Sequence, residues 1–141
     1  MVRGRLFTVD EANALIPRLE IIMSRLQRQG LLFRDELRGL ARETGQTTEE
    51  VSSTEILELR PQLRPVLEEL DRLLEELDEL GVHLKGLDLG LIDFPAEIDG
   101  EVVLLCWQFG EKELGYYHDI EAGFAGRKPL DHSVAQGRTL H

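Results

Sequence analysis

Residues 86–111 read GLDLGLIDFPAEIDGEVVLLCWQFGE, and the Asp99-Gly100 pair near their centre decides how the second half of the chain folds. Asp-Gly between two apolar runs signals a two-residue hairpin, because a type I′ turn needs positive φ at both central positions. A turn there pairs Ile98 with Glu101, Phe94 with Leu105, Asp93 with Cys106 and Ile92 with Trp107. Pro95 has no amide proton to donate, so the first strand is expected at a sheet edge or to carry a bulge. A further turn at about Glu111-Lys112 pairs Trp107 with Tyr116, Cys106 with Tyr117 and Leu105 with His118. Residues 82–119 are therefore expected to form a three-stranded antiparallel β-meander, with Glu101–Phe109 as its middle strand.

Side-chain alternation sorts the two faces of such a sheet. One face carries Ile92, Phe94, Val103, Leu105, Trp107, Tyr116 and His118, and is almost wholly apolar. The other carries Leu91, Asp93, Val102, Leu104, Cys106, Tyr117 and Asp119. Val102, Leu104 and Cys106 make its centre too apolar for a face left to water. Either the C-terminal segment, residues 120–141, read as irregular, or a second copy of the chain is expected to cover it. Self-association, as a homodimer, follows as an expectation.

Upstream of the meander the period changes. Thr8-Val-Asp-Glu11 has the spacing of a capping box. Apolar residues then recur in steps of three and four from Ala12 to Leu40, which places a long helix over residues 6–43. Pro17 removes one backbone donor and is expected to kink that helix or disturb it locally. The polar stretch TGQTTEE, residues 44–50, breaks the pattern. A second stripe from Ile56 to Leu80 implies a second helix within residues 47–81. Pro61 and Pro65 disturb its first half, so its firm part runs from about Pro65 to Leu80, with Gly81 as its cap. The expected fold class is α+β: a single domain, residues 1–141, with a long antiparallel helical hairpin packed on one face of the three-stranded meander.

Bulk properties narrow the function. The chain has 141 residues, 42% apolar and 30% charged, as a globular protein does. No run approaches the ~18 uninterrupted apolar residues of a membrane span, and MVRGRLF lacks the apolar core of a signal peptide. The single cysteine, Cys106, has no internal disulfide partner, so a cytoplasmic setting is expected. Net charge is −11, concentrated after the first helix: residues 47–81 carry −8 and residues 82–141 carry −5. Binding to phosphate backbones needs a basic face, and the one basic series is the arginines of the first helix. Nucleic acid and membrane are not expected partners.

FTVDEANALIPRL (7–19), the 86–111 block and GYYHDIEAGFAGRKPL (115–130) together resemble a bacterial family, domain of unknown function 2203. The resemblance runs over about residues 6–130. It implies a small single-domain prokaryotic protein in the cytoplasm, and it carries over no catalytic residue.

Candidate chemistry gathers where the third strand ends. His118, Asp119, Glu121 and Asp93 offer an imidazole and carboxylates, the ligand types of a divalent metal. In the register above, His118 and Asp93 point to opposite faces, and His118 is expected to close the apolar face. Gly123-Phe-Ala-Gly126-Arg127 could bring amides and a guanidinium to a phosphate, but it lacks the length of a P-loop and the context of a dinucleotide fingerprint. A tight turn, with Arg127 paired to Asp119, Glu121 or Asp93, is the plainer reading. Asp93, Cys106 and Tyr117 share a row and could form a small polar pocket if the tail or a partner covers them, while the plainer reading of Cys106 is inert packing. No cofactor is implied. The function expected is that of a non-enzymatic, self-associating protein acting through a protein partner or a small ligand. The alternative is a small enzyme or metal-binding protein with its site around His118, Asp119, Glu121, Asp93 and Arg127.

Overall fold

A computed structural model of the chain describes residues 5–130, and it has α+β architecture with a long helix against an antiparallel sheet. Helix α1 spans Val9–Thr44. The capping box forms as its spacing predicts: the Glu11 amide donates to Thr8 Oγ1 at 3.0 Å, and the Thr8 amide donates to Glu11 Oε1 at 2.9 Å. The helix runs continuously through Pro17 and ends at Gly45, whose φ of 71° is the left-handed cap conformation.

The second stripe does not form one helix, so the expected two-helix hairpin is replaced by a broken run. A 3-10 turn at Thr48–Glu50 leads to a short helix α2, Ser53–Leu59. Arg60, at φ −138° and ψ 68°, interrupts it, and Pro61 opens a second 3-10 turn. Both prolines are tolerated because each sits where an amide proton has no helical partner, Pro61 opening its turn and Pro65 in the first turn of helix α3, Arg64–Leu80. Helix α3 lies antiparallel to α1. Arg18 meets Glu76 at 2.7 Å and Arg25 meets Glu69 at 3.7 Å, so residue numbers rise on one helix as they fall on the other. The arginines are exposed and the two acids half-buried, and such pairs set alignment more than stability.

The sheet has five strands, two more than the meander expected. Their order is β1 His83–Gly86, β2 Leu91–Ile98, β3 Glu101–Gln108, β4 Tyr116–Asp119 and β5 Lys128–Pro129, each antiparallel to the next. The β2–β3 register is the one the Asp-Gly turn dictates, from Ile98 opposite Glu101 to Ile92 opposite Trp107. Asp99 and Gly100 have φ of 52° and 83°, as a type I′ turn requires. Strand β1 pairs only with Leu91, Ile92 and Asp93, so Pro95 lies beyond its end and no neighbour asks it for an amide proton. The Pro95 carbonyl, on that free side, accepts from the Phe7 amide at 2.7 Å.

The β3–β4 register departs from expectation by one residue. Leu104 faces His118, Leu105 faces Tyr117 and Cys106 faces Tyr116. The connection is not a tight turn at Glu111-Lys112 but a loop over residues 109–115. Among the contacts that hold it, Trp107 Nε1–H donates to the Glu111 carbonyl at 2.9 Å, and the Gln108 amide donates to Glu111 Oε1 at 2.7 Å. The Leu114 amide donates to Asn13 Oδ1 of α1 at 2.7 Å, and its side chain is buried in the core. With Leu114 anchored on α1, the strand stands one position from the expected register. A one-residue shift sends every side chain of β4 to the opposite face. Tyr117 therefore packs toward the helices, while His118 and Tyr116 face away.

The main core lies between α1, α3 and the predicted apolar face. It joins Ala12, Ile16, Leu19 and Met23 to Leu73 and Leu77, and these to Ile92, Phe94, Leu105 and Trp107. A smaller cluster at the far end joins Leu40 and Ala41 to Val51, Ile56 and Leu63. The segment after β4 folds back on the sheet rather than staying irregular. Residues Phe124–Gly126 form a 3-10 turn and β5 pairs with β4. Residues 131–141, the remainder of the segment expected to be irregular, lie outside the described residues.

Candidate functional site

The sheet face turned away from the helices carries a buried polar floor. Asp93 on β2 and Cys106 on β3 are direct cross-strand partners, and His118 on β4 sits diagonally beside Cys106. Asp93 and His118 are each 2% exposed and Cys106 is 1% exposed. His118 Nε2 lies 3.1 Å from Asp93 Oδ2. The expectation that Asp93 and His118 point to opposite faces is thus corrected by the β3–β4 register, and His118 does not close the helix-facing layer. One donor atom from each of Asp93, Cys106 and His118 lies within 4.8 Å of the others.

Hydrogen bonding fixes the protons of this group. His118 Nδ1 lies 2.8 Å from the Asp119 carbonyl oxygen. A carbonyl only accepts, so Nδ1 carries hydrogen and Nε2 is the nitrogen left to face Asp93. The Nε2–Asp93 contact then needs one proton, held either as imidazolium with carboxylate or as imidazole with carboxylic acid. Both arrangements are neutral overall. Burial, reinforced by the Asp93 charge, pushes the Cys106 thiol up to about 12, so at neutral pH it stays protonated.

Above the floor lies a cavity of about 320 Å³. Leu91, Leu104, Ile120 and Phe124 supply apolar wall, while Lys85 and Glu121 bring charge to its lining. Its size and its mixture of apolar wall and a few convergent polar groups are those of a small-molecule site. The turn after β4 brings Ile120, Glu121, Gly123 and Phe124 over the sheet, so the covering expected of residues 120–141 is supplied in part by residues 120–127.

The other candidate residues fall into distinct places. Asp119 contributes only its backbone carbonyl, and its carboxylate lies 3.3 Å from Lys128 Nζ at the surface. Glu121 lines the cavity but is exposed. Arg127 does not line it. Its guanidinium meets Glu111 at 2.9 Å rather than Asp119, Glu121 or Asp93, and lies 4.0 Å from the centre of the Tyr116 ring. Paired and stacked in this way, Arg127 turns its Nη2 to Glu111 and away from the cavity, and the Gly123–Arg127 stretch forms a fold-back turn. Cys106 is the residue the sequence reading put down to packing. The Asp99-Gly100 turn already sets it opposite Asp93, and only the position of His118 hid the group of three.

The sequence model of a family described as "Uncharacterized conserved protein (DUF2203)" matches residues 5–130. No curated protein and no solved structure matches significantly.

Proposed function

The chain belongs to the DUF2203 family, and we propose that it is a small-ligand-binding protein whose ligand sits in the cavity over Asp93, Cys106 and His118. The observation that carries this reading is a buried, hydrogen-bonded polar group at the floor of a cavity walled by Leu91, Leu104, Ile120 and Phe124, with Lys85 and Glu121 also in its lining. Placing an imidazole and a carboxyl inside a protein costs stability unless they are paired. Fold stability alone would be served as well by apolar residues there. The ligand that fits is compact and mostly apolar, with one hydrogen-bonding group directed at Asp93 and His118. Dialysed protein mixed with the small-molecule filtrate of its own host should melt several degrees higher, and dialysis should reverse the shift. Unchanged melting across such filtrates would contradict the reading.

Self-association in the cytoplasm is part of the same proposal. Val102, Tyr116, Ile120 and Phe124 are apolar or aromatic and exposed on or beside this sheet face, which supports a second copy meeting it. The free, buried thiol of Cys106 suits a reducing compartment, and no helix among the described residues is long and apolar enough to cross a membrane. Light scattering should report a dimer at micromolar concentration. A species of single-chain mass only would remove this part of the proposal.

A further inference from the structure

We propose that Asp93, Cys106 and His118 bind one divalent transition metal of the zinc class, with a coordination position open to the cavity. The proposal deepens the cavity reading above and rests on it for the ligand that fills that position.

The donor set is the first argument. Thiolate, imidazole and carboxylate together suit zinc and its borderline neighbours, whereas magnesium and calcium take oxygen ligands. Three protein ligands with a fourth position for water or substrate is the pattern of catalytic zinc sites, while structural sites close all four.

Geometry is the second. Tetrahedral zinc holds neighbouring ligand atoms roughly 3.3–3.8 Å apart, given bonds of about 2.0–2.3 Å. Here the donor atoms lie within 4.8 Å of one another, and His118 Nε2 is 3.1 Å from Asp93 Oδ2. Side-chain movements of about 1 Å or less bring all three to bonding distance. The residues stand on three adjacent strands, β2, β3 and β4, whose ladder holds their backbones in place.

The third argument is the support of the histidine. Metal-bound histidines generally donate their other ring N–H to a carbonyl or carboxylate, which orients the ring and fixes its tautomer. The Asp119 carbonyl already accepts from Nδ1 at 2.8 Å, leaving Nε2 directed at Asp93 and the other donors.

Binding also balances in protons and charge. In the metal-free state this group holds two removable protons, one on Cys106 Sγ and one shared between His118 Nε2 and Asp93. A divalent ion forms bonds to Sγ, Nε2 and a carboxylate oxygen as those two protons leave for solvent. The buried group is neutral before and after, so metal replaces protons without adding net charge to the interior.

The test uses the full untagged chain, stripped with chelator and titrated with Co2+ alone. A site of this kind gives the visible bands of tetrahedral cobalt and a near-ultraviolet thiolate-to-cobalt band, saturating at one ion per chain. Zn2+ should displace the cobalt and bleach both. Cys106→Ser should abolish the thiolate band and weaken Zn2+ binding more than about 100-fold, since even a supporting group is worth about 10–100-fold. Folded wild-type chain that shows neither band at saturating Co2+ and retains no zinc overturns the site, whatever the fate of the variant. Native mass spectra showing an organic ligand held by protein that still refuses Zn2+ would overturn the metal while leaving the cavity reading intact.

Discussion

At the scale of the residue, Asp93, Cys106 and His118 are buried together at the cavity floor. Because burial and the neighbouring Asp93 charge raise the Cys106 thiol to about 12, it is a thiol at neutral pH and should resist alkylation. Iodoacetamide at pH 8 should label native metal-free protein far more slowly than the same protein in urea, and equal rates would contradict the burial. The sign for stability follows from the same shift. The folded state favours the protonated thiol, so its contribution is present below the unfolded-state value and is lost as pH rises toward 12. The Asp93–His118 pair predicts coupling. Truncating either partner to alanine in metal-free protein leaves the other buried and unpaired, at a cost of about 3 kcal/mol. The double variant should cost less than the sum of the singles by about 1–3 kcal/mol in urea titrations. Strict additivity would mean that the two side chains do not meet.

At the scale of the element, legibility follows the length of the connection. The β2–β3 pairing could be read because Asp99-Gly100 admits one turn geometry and fixes every pair behind it. The β3–β4 pairing could not, because residues 109–115 leave several registers open locally. The register that forms goes with a bond from Leu114 to Asn13, 101 positions away in the chain, which no local pattern signals. Strand β1 escaped notice because it is four residues long and its register shifts before Gly86. Strand β5 is two residues ending in proline. The long first helix and the firm Pro65–Leu80 stretch are legible from period and caps, and Pro61 marks the disturbance before it, whereas the short helix α2 and the two 3-10 turns are not legible. The register itself is directly testable. In the alternation set by the Asp-Gly turn, Leu105 and Tyr117 form a non-hydrogen-bonded pair whose α protons approach closely. Their nuclear Overhauser contact should be strong. A contact between the α protons of Leu105 and His118 instead would restore the register read from sequence and send His118 back toward the helices.

At the scale of the whole molecule, the sheet divides two tasks between its faces. The face against α1 and α3 carries the main core, with Phe94, Leu105 and Trp107 fully buried. The uneven charge of the chain is partly explained here, since the arginines of α1 meet the acids of α3. The opposite face is less completely covered and holds the polar floor under the cavity. Asp93, His118 and Glu121, candidates from the sequence, line the cavity together with Cys106, where a strand end and an apolar sheet face meet. The expected register separates Asp93 from His118, because a single step of register decides which face each side chain joins. If the second face is for binding and the first for folding, the two can be separated by mutation. Leu104, on the cavity wall, is the position for that test. The measurement is native mass spectrometry of untagged wild-type and Leu104→Trp protein purified from the same host, with circular dichroism to verify folding. The account predicts a retained mass on the wild type that is lost from a folded Leu104→Trp chain. Bare chain in both samples, or the same retained mass in both, would contradict it.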